Sequence, residues 1–462
     1  MTSPNGGEVL VAEPAAEATR EPLTDLANAR RFAREHRCDL RYITKSRQWL
    51  VWDGHRWRPD DTGEVQRRAK ATVQGLFRDA AAIPDSDQRK KRIGLAIPAQ
   101  AAPRISGMIE LAKSETGIAI IQDQLDSDPW LLNVENGTLD LRTGTLRQHR
   151  REDLITKLAP VTYDAKARCP QWEAFLEKIM AGDKDRIRYV QKALGYALSG
   201  DTREQCFFIL HGTGANGKST LTTVVGKLAG GYSQHTPTET LLVKRSDTIP
   251  NDVARLHGAR LVTAAEAECN RSLAEALVKQ LTGGDKIAAR FLHGEFFEFT
   301  PSFKLFLAVN HKPVIKGTDP AIWRRVRLIP FDVTIPQDEQ DRTLPEKLEA
   351  ERPGILRWLV EGCLAWQREG LTPPEAVTAA TADYRDEMDT VGAFLDECCI
   401  CDLEAQSSSK SLFDAYEKWC EKHGESPMSK TDFGARLSEK GFKPGRTKGV
   451  RYWCGLRLKV TQ

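Results

Sequence analysis

The sequence predicts an α/β protein of several domains, and three features indicate it. Its 462 residues exceed what one compact core usually holds, so roughly two to four domains are expected. The apolar run Phe207–Leu210 opens into a glycine-rich loop, after which apolar residues recur at helical spacing. Two later apolar runs, at 260–265 and 304–309, have the length of buried strands and end in polar residues. Buried strands that alternate with helices are typical of an α/β domain.

The glycine-rich loop has the spacing of a phosphate-binding loop, Gly212-x4-Gly217-Lys218-Ser219. Its glycines let backbone N–H groups turn inward around phosphate oxygens, and the following helix directs its positive dipole end at the same charge. We expect Lys218 to reach the β- and γ-phosphates and the Ser219 hydroxyl to ligate Mg2+. The alternative is a chance glycine-rich turn, which the strand and helix around the pattern disfavour. The expected nucleotide-binding residues are Gly212, Thr213, Gly214, Ala215, Asn216, Gly217, Lys218, Ser219 and Thr220.

The composition is that of an ordinary soluble protein and disfavours several other classes. Hydrophobic residues make up 40% and charged residues 28%, and no apolar run approaches the roughly 20 residues of a membrane span. The N-terminus lacks the features of a signal peptide, so we expect a cytoplasmic location. The ten cysteines are scattered, and Cys398 and Cys401 have no second pair at the spacing of a zinc site. Because the net charge is only +3, contact with nucleic acid must come from local basic patches.

The chain before residue 166 predicts a tail and an α+β domain. Residues 1–22 lack periodicity and predict a disordered tail. Residues 23–165 begin with helical spacing and continue with strand-like runs around the Asp53-Gly54 turn, and a second hairpin is predicted around Asn136-Gly137. The tryptophans near the first turn could stack on bases, but their strand spacing favours a small core.

Helical spacing resumes at 166–200 and predicts a collar of helices that packs against the nucleotide-binding domain, 201–340. Polar residues end both strands that follow the phosphate loop. Glu266 and Glu268 follow the first strand, where a Mg2+-binding acid and a water-activating base are needed. Asn310 follows the second strand, where an amide can orient the attacking water. The alternative is that these residues merely end their strands.

A hairpin is predicted between those two strands, with arms at 290–292 and 296–299 around His293-Gly294. Lys286, Arg290 and His293 are then available to contact phosphates, although a purely structural hairpin is not excluded by spacing.

Two adjacent arginines, Arg324 and Arg325, follow the strand that ends at Asn310. An arginine at this point can reach across a subunit boundary and neutralise charge that develops on the γ-phosphate of a neighbour. The alternative is a surface ion pair.

The C-terminal part predicts helices followed by a nucleic-acid-binding domain. Residues 341–403 carry helical spacing that closes the nucleotide-binding domain, with one helix expected over 373–395. The polar stretch 404–410 predicts a linker. Beyond it, two amphipathic helices and a strand pair at 450–458 predict a winged helix within 404–462. From Ser429 onward nine basic residues stand against two acidic ones, and the expected DNA contacts are Arg446, Lys448 and Arg451.

Taken together, these segments resemble the phage and plasmid primase-helicase family related to the poxvirus replication helicase. The most specific matches are Gly212–Thr220, Leu281-Thr-Gly-Gly-Asp285, Asn310-His-Lys-Pro313 and Trp323-Arg-Arg325. The motor domain of this family belongs to helicase superfamily three within the AAA+ ATPases. The resemblance therefore implies an AAA+ type P-loop NTPase domain with a helical collar, an α+β N-terminal domain and a C-terminal winged helix.

The resemblance also implies roles for single residues. Lys218 and Ser219 would hold ATP and Mg2+, Glu266 would be the second acidic motif and a Mg2+ ligand, and Asn310 would be the first sensor. Either Arg324 or Arg325 would be the finger between subunits. The family assembles as a ring, which implies a homohexamer whose hairpins around His293 line a channel and move along single-stranded DNA from 3′ to 5′. Because Ala267 separates Glu266 from Glu268, the identity of the catalytic base stays open.

Many relatives carry an upstream primase-polymerase domain, for which only about 150 residues precede the collar. Asp85-Ser-Asp87 and Asp126-Ser-Asp128 have the spacing of polymerase metal ligands, but both lie in polar stretches and are interpreted as turns. We therefore expect primer synthesis to reside in a separate protein.

The sequence thus predicts an ATP-driven DNA helicase for the replication of a phage, prophage or plasmid in the cytoplasm of a bacterial host. Its expected partners are single-stranded and forked DNA, with a separate primase or loader and no membrane. Two alternatives stay open. One is a replication initiator that binds an origin and uses ATP only to assemble. The other is a motor that translocates on duplex DNA without unwinding it.

Overall fold

The computed structural model describes residues 22–243, 251–265, 271–292, 294–317, 319–425, 427–447 and 449–459. The chain is divided into two compact units. The first contains Met1–Asp128, Asn133–Leu139 and Leu146–Leu158, and the second contains Pro129–Leu132, Asp140–Thr145 and Ala159–Gln462. Residues 1–21 of the predicted tail lie outside the described residues. Over the described ranges, no helix is long and apolar enough to cross a membrane.

The first unit packs four helices against a small sheet. The helices are α1 (Asp25–His36), α2 (Glu64–Ala81), α3 (Ser86–Ala96) and α4 (Ala102–Ala112), and the strands are β1 (Leu40–Ile43), β2 (Gln48–Trp52), β3 (Trp57–Pro59) and β4 (Ala119–Ile120). The strand order is β3-β2-β1-β4, and β2 and β3 pair antiparallel around Asp53-Gly54 as predicted. Both acidic pairs serve the backbone. Asp85 caps α3 by accepting a hydrogen bond from the N–H of Gln88, and Asp126 accepts one from the N–H of Thr156.

Trp57 shows why the tryptophans of this unit belong to a core. Its side chain is fully buried against Ile43 and Leu50, and its indole Nε1 donates to the carbonyl of Arg151 over 2.9 Å. Trp52 packs edge-on against Trp57, with ring centroids 5.7 Å apart. Trp49 and Trp52 are half-buried. The core interpretation is therefore confirmed for Trp57.

Three short strands follow, β5 (Leu131–Val134), β6 (Gly137–Asp140) and β7 (Thr145–Arg147), in the order β5-β6-β7. They place turns at Asn136-Gly137 and at Thr143-Gly144, so the predicted second hairpin is confirmed. Gly137 needs its missing side chain, because a Cβ there would lie 2.3 Å from the carbonyl oxygen of Arg147.

In the second unit, the range 166–200, which the sequence predicts to be a collar, contains α5 (Pro170–Ile179) and α6 (Lys184–Leu198). Helix α6 crosses α12 (Arg352–Glu369) at two glycines. A Cβ on Gly195 would lie 2.2 Å from the backbone nitrogen of Cys363, and one on Gly362 would lie 2.2 Å from the carbonyl oxygen of Gln191. The two backbones can approach this closely only because neither position carries a side chain.

A five-stranded parallel sheet forms the centre of this unit. Its strands are β8 (Phe207–His211), β9 (Ser233–His235), β10 (Leu261–Ala265), β13 (Lys304–Val309) and β14 (Val326–Pro330), in the order β14-β8-β13-β10-β9. Every neighbouring pair is parallel. Strand β8 lies between β13 and β14, and α7 (Lys218–Ala229) follows it. Because carboxyl ends of parallel strands meet at one edge, the glycine-rich loop after β8 and Asn310 after β13 lie at the same edge of the sheet.

Shorter elements surround this sheet. They are α8 (Asn251–Ala254), α9 (Glu275–Gly283), β11 (Ile287–Arg290), β12 (Phe296–Phe299), α10 (Pro320–Trp323) and α11 (Leu344–Ala350). Strands β11 and β12 pair antiparallel, which confirms the predicted hairpin, although its first arm begins earlier, at Ile287. His293 in its turn lies outside the described residues.

The C-terminal part differs from the sequence prediction at two points. The single helix expected over 373–395 is two helices, α13 (Glu375–Met388) and α14 (Thr390–Cys398). The helix is interrupted at Asp389 because this residue caps α14. Its carboxylate accepts a hydrogen bond from the N–H of Gly392 over 2.9 Å. The linker expected at 404–410 is wrong, since these residues end strand β15 (Cys399–Ser408) and begin helix α15 (Ser409–His423).

Helix α16 (Lys430–Glu439) and strands β16 (Lys443–Thr447) and β17 (Val450–Leu458) complete the C-terminal part. The sheet order is β15-β17-β16, and both pairs are antiparallel. One apolar cluster joins α14, α15, α16 and β17 through Phe394, Tyr416, Phe433 and Trp453. Helices α14, α15 and α16 therefore share one apolar core with β17. Helix α14 precedes the range 404–462 that was predicted as the winged helix, yet it belongs to this core.

Candidate functional site

The loop between β8 and α7 depends on glycines at two close approaches. A Cβ on Gly212 would lie 2.3 Å from the carbonyl oxygen of Phe331, and one on Gly217 would lie 2.6 Å from Cγ2 of Ile179. Gly214 and Gly217 also have φ angles of 112° and 82°, which L side chains rarely adopt. Ala215 has a φ of 46°, an uncommon conformation for alanine. The loop is thus a tight backbone turn at the edge of the sheet.

Lys218 begins helix α7 and folds back over this loop. Its Nζ donates to the carbonyl of Gly212 over 2.6 Å, to Oδ1 of Asn216 over 2.9 Å and to Oδ1 of Asn310 over 3.2 Å. The side chain is only 4% exposed, and burial lowers the pKa of the Lys218 ammonium. These three oxygens hold the ammonium at the mouth of the loop, where it can meet an anion.

The start of α7 provides further groups for an anion. Its N-cap is Gly217, which makes no capping hydrogen bond through a side chain, so the first N–H groups of the helix lack the usual side-chain acceptor. Open space surrounds the position that a Cβ of Gly214 would take. A backbone turn with inward N–H groups, a helix N-terminus and a lysine together fit the phosphates of a nucleotide.

The groups expected to bind Mg2+ are only partly described. Ser219 is exposed on the first turn of α7, so its hydroxyl is accessible to a cation. Glu266 and Glu268 lie outside the described residues, which include the strand up to Ala265. Among the described residues, no group of three or more His, Cys, Asp or Glu side chains is arranged to hold a metal ion. A single exposed hydroxyl fits Mg2+, because this cation usually keeps several waters and takes other ligands from the phosphates of a substrate.

Two neighbours of the loop complete its polar surroundings. Asn310 is exposed at the end of β13, and its carbonyl Oδ1 accepts the hydrogen bond from Lys218. His211 ends β8, and sequence reasoning did not select it. Burial lowers the pKa of His211, and the positive charges of Lys312 and Lys218 lower it further. The sequence signal that could have selected His211 is its position between the apolar strand and Gly212.

The two candidate arginines differ sharply in exposure. Arg325 is 7% exposed; its Nε donates to Oγ1 of Thr282 over 3.2 Å, and its Nη1 donates to the carbonyl of Ala321 over 2.5 Å. Burial also lowers the pKa of Arg325. Arg324 is exposed, with one hydrogen bond of 3.3 Å from Nη2 to Oε1 of Gln205. Arg325 is therefore held within the folded chain, whereas Arg324 is exposed.

The β11–β12 hairpin presents basic and aromatic side chains together. Lys286 and Arg290 are exposed, and the Arg290 guanidinium lies 5.1 Å from the ring centroid of Phe296. Phe291, Leu292 and Phe296 have exposed fractions of 48%, 73% and 55%, which is unusual for side chains of this size. Such a surface could contact both the phosphates and the bases of a nucleic acid.

At the C-terminal sheet, two of the predicted DNA-contacting residues lie at one hairpin tip. Arg446 on β16 is the cross-strand partner of Arg451 on β17, and both are exposed. Lys448, which lies between them in sequence, is outside the described residues. Two basic side chains at the preceding helix α16 already have partners within the chain. Arg436 donates to the carbonyl of Lys316, and Lys440, which follows the helix, donates to the carboxylate of Asp389.

Three family descriptions match this chain. "D5 N terminal like" matches residues 29–181, a family of unknown function matches 210–325, and "Poxvirus D5 protein-like" matches 386–456. The first and third agree with the resemblance to the poxvirus-type replication helicase.

The similar curated proteins come from viruses. "Putative helicase L207/L206" of Acanthamoeba polyphaga mimivirus is 27% identical over 413 residues, covering 80% of this chain and 42% of that protein. "Putative helicase 022R" of Frog virus 3 is 24% identical, covering 64% of this chain and 39% of that protein. "Putative primase C962R" of African swine fever virus (isolate Tick/Malawi/Lil 20-1/1983) is 25% identical, covering 44% and 22%. The chain thus spans about two fifths or less of the length of these relatives.

A solved structure, the apo form of the NrS-1 C-terminal region, covers 90% of this chain and 96% of its own length, at 10% identity and a TM-score of 0.47.

Proposed function

We propose, from the confirmed resemblance of this chain to the phage and poxvirus-type primase-helicase family, that it is the ATP-driven motor of a replicative DNA helicase. The observation that carries this proposal is the contact between Lys218 and Asn310 across neighbouring strands. It places the charged group of the phosphate loop and the polar end of the next strand at one point of the sheet edge, where a triphosphate and an attacking water must meet.

In this proposal the phosphate loop binds ATP through Gly212–Thr220. Lys218 exchanges its three oxygen partners for phosphate oxygens, which its position at the mouth of the loop makes possible. Mg2+ bound by Ser219 would neutralise charge on the β- and γ-phosphates. Glu266 and Glu268 stay the expected acids beside it, with the choice of base open. Asn310 orients the water once Lys218 has released its amide oxygen.

We assign the finger between subunits to Arg324 rather than to Arg325. A residue that acts on the γ-phosphate of a neighbouring subunit must be accessible in the isolated subunit, and Arg324 is. Arg325 is buried, with Thr282 and Ala321 as partners. This assignment belongs to a ring, which we propose to be a homohexamer.

The β11–β12 hairpin is the proposed contact to single-stranded DNA in the channel of that ring, with 3′ to 5′ movement. Its exposed Lys286 and Arg290 suit phosphates, and Phe291 and Phe296 suit bases. The C-terminal sheet and its helices are the proposed winged helix, whose wing carries Arg446 and Arg451 to duplex or forked DNA.

The biological setting is proposed as the replication of a phage, prophage or plasmid in a bacterial host. The similar proteins named above come from viruses of eukaryotes, and their names mention helicase and primase only. A separate primase or loader is part of the same proposal.

The test is strand displacement from a forked DNA with ATP and Mg2+, using substrates that carry only a 3′ tail or only a 5′ tail. We expect release of the strand from the fork and from the 3′-tailed duplex. The Lys218→Ala protein, assayed beside the unchanged protein, should release none. Hydrolysis of ATP without strand release on any substrate would contradict the helicase proposal. Stimulation by blunt duplex would then indicate a duplex translocase, and ATP-dependent assembly on DNA without turnover would indicate an initiator.

A further inference from the structure

The segment 311–317 leaves the sheet directly after Asn310, and side chains from helix α13 fix its first half. Nζ of Lys312 donates to both carboxylate oxygens of Glu387, over 2.7 Å and 2.6 Å. One residue further, the hydroxyl of the fully buried Tyr384 donates to the carbonyl of Pro313. Helix α13 therefore holds two adjacent residues, Lys312 and Pro313, shortly after Asn310.

The second half of the segment is fixed by the chain around α9. The N–H of Val314 donates to the carbonyl of Arg271 and the N–H of Leu273 to the carbonyl of Val314, both over 2.9 Å. The N–H of Gly317 donates to Oε1 of Glu275 over 2.7 Å. Because both halves are anchored, the path by which the chain leaves Asn310 has little freedom.

The ion pair between Lys312 and Glu387 also acts on the electrostatics of the phosphate loop. The positive charge of Lys312 lowers the pKa of His211 at the end of β8, and the carboxylate of Glu387 opposes that effect. Lys312 is thus close enough for its charge to reach the loop. Without Glu387, the Lys312 ammonium would lose the carboxylate that holds it and that offsets its charge near His211.

We propose that Glu387, acting through Lys312, is a positioning residue that holds Asn310 in its working orientation; the inference rests on the proposed function. The pair is poorly suited to stabilise the fold, since half of the Glu387 side chain is exposed. A contact to both carboxylate oxygens does, however, limit where the Lys312 side chain can lie, and small misplacement of a water-orienting group slows the chemical step more than it weakens substrate binding. Glu387 would therefore act on kcat for ATP rather than on KM.

The test compares Glu387→Gln with Glu369→Gln in the full chain. Glu369 forms a similar half-exposed pair with Arg188, at 2.9 Å, but between α6 and α12. For Glu387→Gln we expect kcat for ATP hydrolysis to fall by about threefold to tenfold, with KM and Tm unchanged. Glu369→Gln should keep the kcat of the unchanged protein.

A charge exchange then separates positioning from a general effect of the substitution. Lys312→Glu alone should lower kcat, and the double variant Lys312→Glu/Glu387→Lys should recover most of the loss, because the pair is restored with reversed charges. Equal kcat for Glu387→Gln and Glu369→Gln, or no recovery in the double variant, would overturn the inference while leaving the proposed function intact. Absence of ATP hydrolysis by the unchanged protein would overturn both.

Discussion

Nζ of Lys218 and Oδ1 of Asn310 lie 3.2 Å apart, on the elements that follow two neighbouring parallel strands. The lysine also contacts Gly212 and Asn216, so its partners in this structure are oxygen acceptors that a phosphate can replace. Lys218→Ala is therefore expected to lower kcat for ATP hydrolysis by about 100-fold or more, because the charge that stabilises the transferring phosphoryl group is lost. Steady-state hydrolysis with saturating Mg2+ measures this change.

Lys227→Ala is the matched control for this prediction. Lys227 is exposed in the last turn of the same helix, α7, and the variant removes the same charge from a position away from the loop. It should keep the rate of the unchanged protein, and circular dichroism should show that both variants are folded. Hydrolysis at the normal rate by Lys218→Ala would mean that nucleotide does not bind at this loop.

The exposure of Arg324 makes a second prediction, which mixed assemblies can test. Arg324→Ala should abolish most ATP hydrolysis, because the finger for the neighbouring site is missing. Mixing Arg324→Ala with Lys218→Ala protein should restore part of the activity, since some boundaries then combine an intact loop with an intact finger. If no activity returns on mixing, Arg324 does not act across a subunit boundary.

Arg325→Ala is expected to behave differently, as a stability variant. Truncation leaves the hydroxyl of Thr282 and the carbonyl of Ala321 without their buried donor, so the free energy of unfolding should fall by about 1–3 kcal/mol. Urea denaturation measures that loss. When Arg325→Ala is mixed with Lys218→Ala, the rate of ATP hydrolysis should be no higher than the folded fraction of Arg325→Ala explains.

The glycine-rich turn between β8 and α7 could be predicted from sequence because its pattern is local. Gly212 to Ser219 lie within eight residues, and the strand and helix on either side have clear periodicity. The choice between Arg324 and Arg325 could not be made that way. It depends on Thr282 and Gln205, which lie far away in sequence and become neighbours only in the folded chain.

Lys304 shows the same limit in the core. It begins the apolar strand β13, is 1% exposed, and its Nζ donates to the carbonyls of Ser199, Asp201 and Ser302. Burial lowers the pKa of Lys304. Two of these acceptors lie about a hundred residues away at the end of the collar, so no local pattern signals that a lysine is satisfied inside this sheet. The expected linker was wrong for a similar reason, since Gln406, Ser407 and Ser408 pair with β17, which lies far away in sequence.

A fourth prediction concerns the β11–β12 hairpin. Arg290→Ala should weaken binding of a labelled oligothymidylate by several-fold and reduce the slope of log affinity against log salt by about 0.7, the value for one lost contact to a single-stranded phosphate. Fluorescence anisotropy at several salt concentrations measures both quantities.

Lys184→Ala serves as the control for the hairpin, because Lys184 is an equally exposed basic residue at the start of α6. It should leave affinity and slope unchanged. Phe291→Ala is a complementary variant, which should weaken binding without changing the slope, since a stacked base carries no counterion. An unchanged affinity for both Arg290→Ala and Phe291→Ala would remove the hairpin from the DNA path.

The crossing of α6 and α12 supports a final prediction, about stability. Gly195→Ala would place a Cβ 2.2 Å from the backbone nitrogen of Cys363. Backbone cannot rotate away as a side chain can, so the helices must separate, and the free energy of unfolding should fall by about 3 kcal/mol.

Gly226→Ala, in helix α7 of the same unit, is the matched comparison, because the nearest atom to its added Cβ is the hydroxyl oxygen of Ser233 at 3.4 Å. That change adds a methyl group at an ordinary contact distance and removes the helix penalty of glycine, so it should raise the free energy of unfolding by about 0.5–1 kcal/mol. Urea denaturation followed by circular dichroism should therefore move the two midpoints in opposite directions. Similar midpoints for the two variants would mean that α6 and α12 do not pack through Gly195. Other contacts would then hold these two helices together.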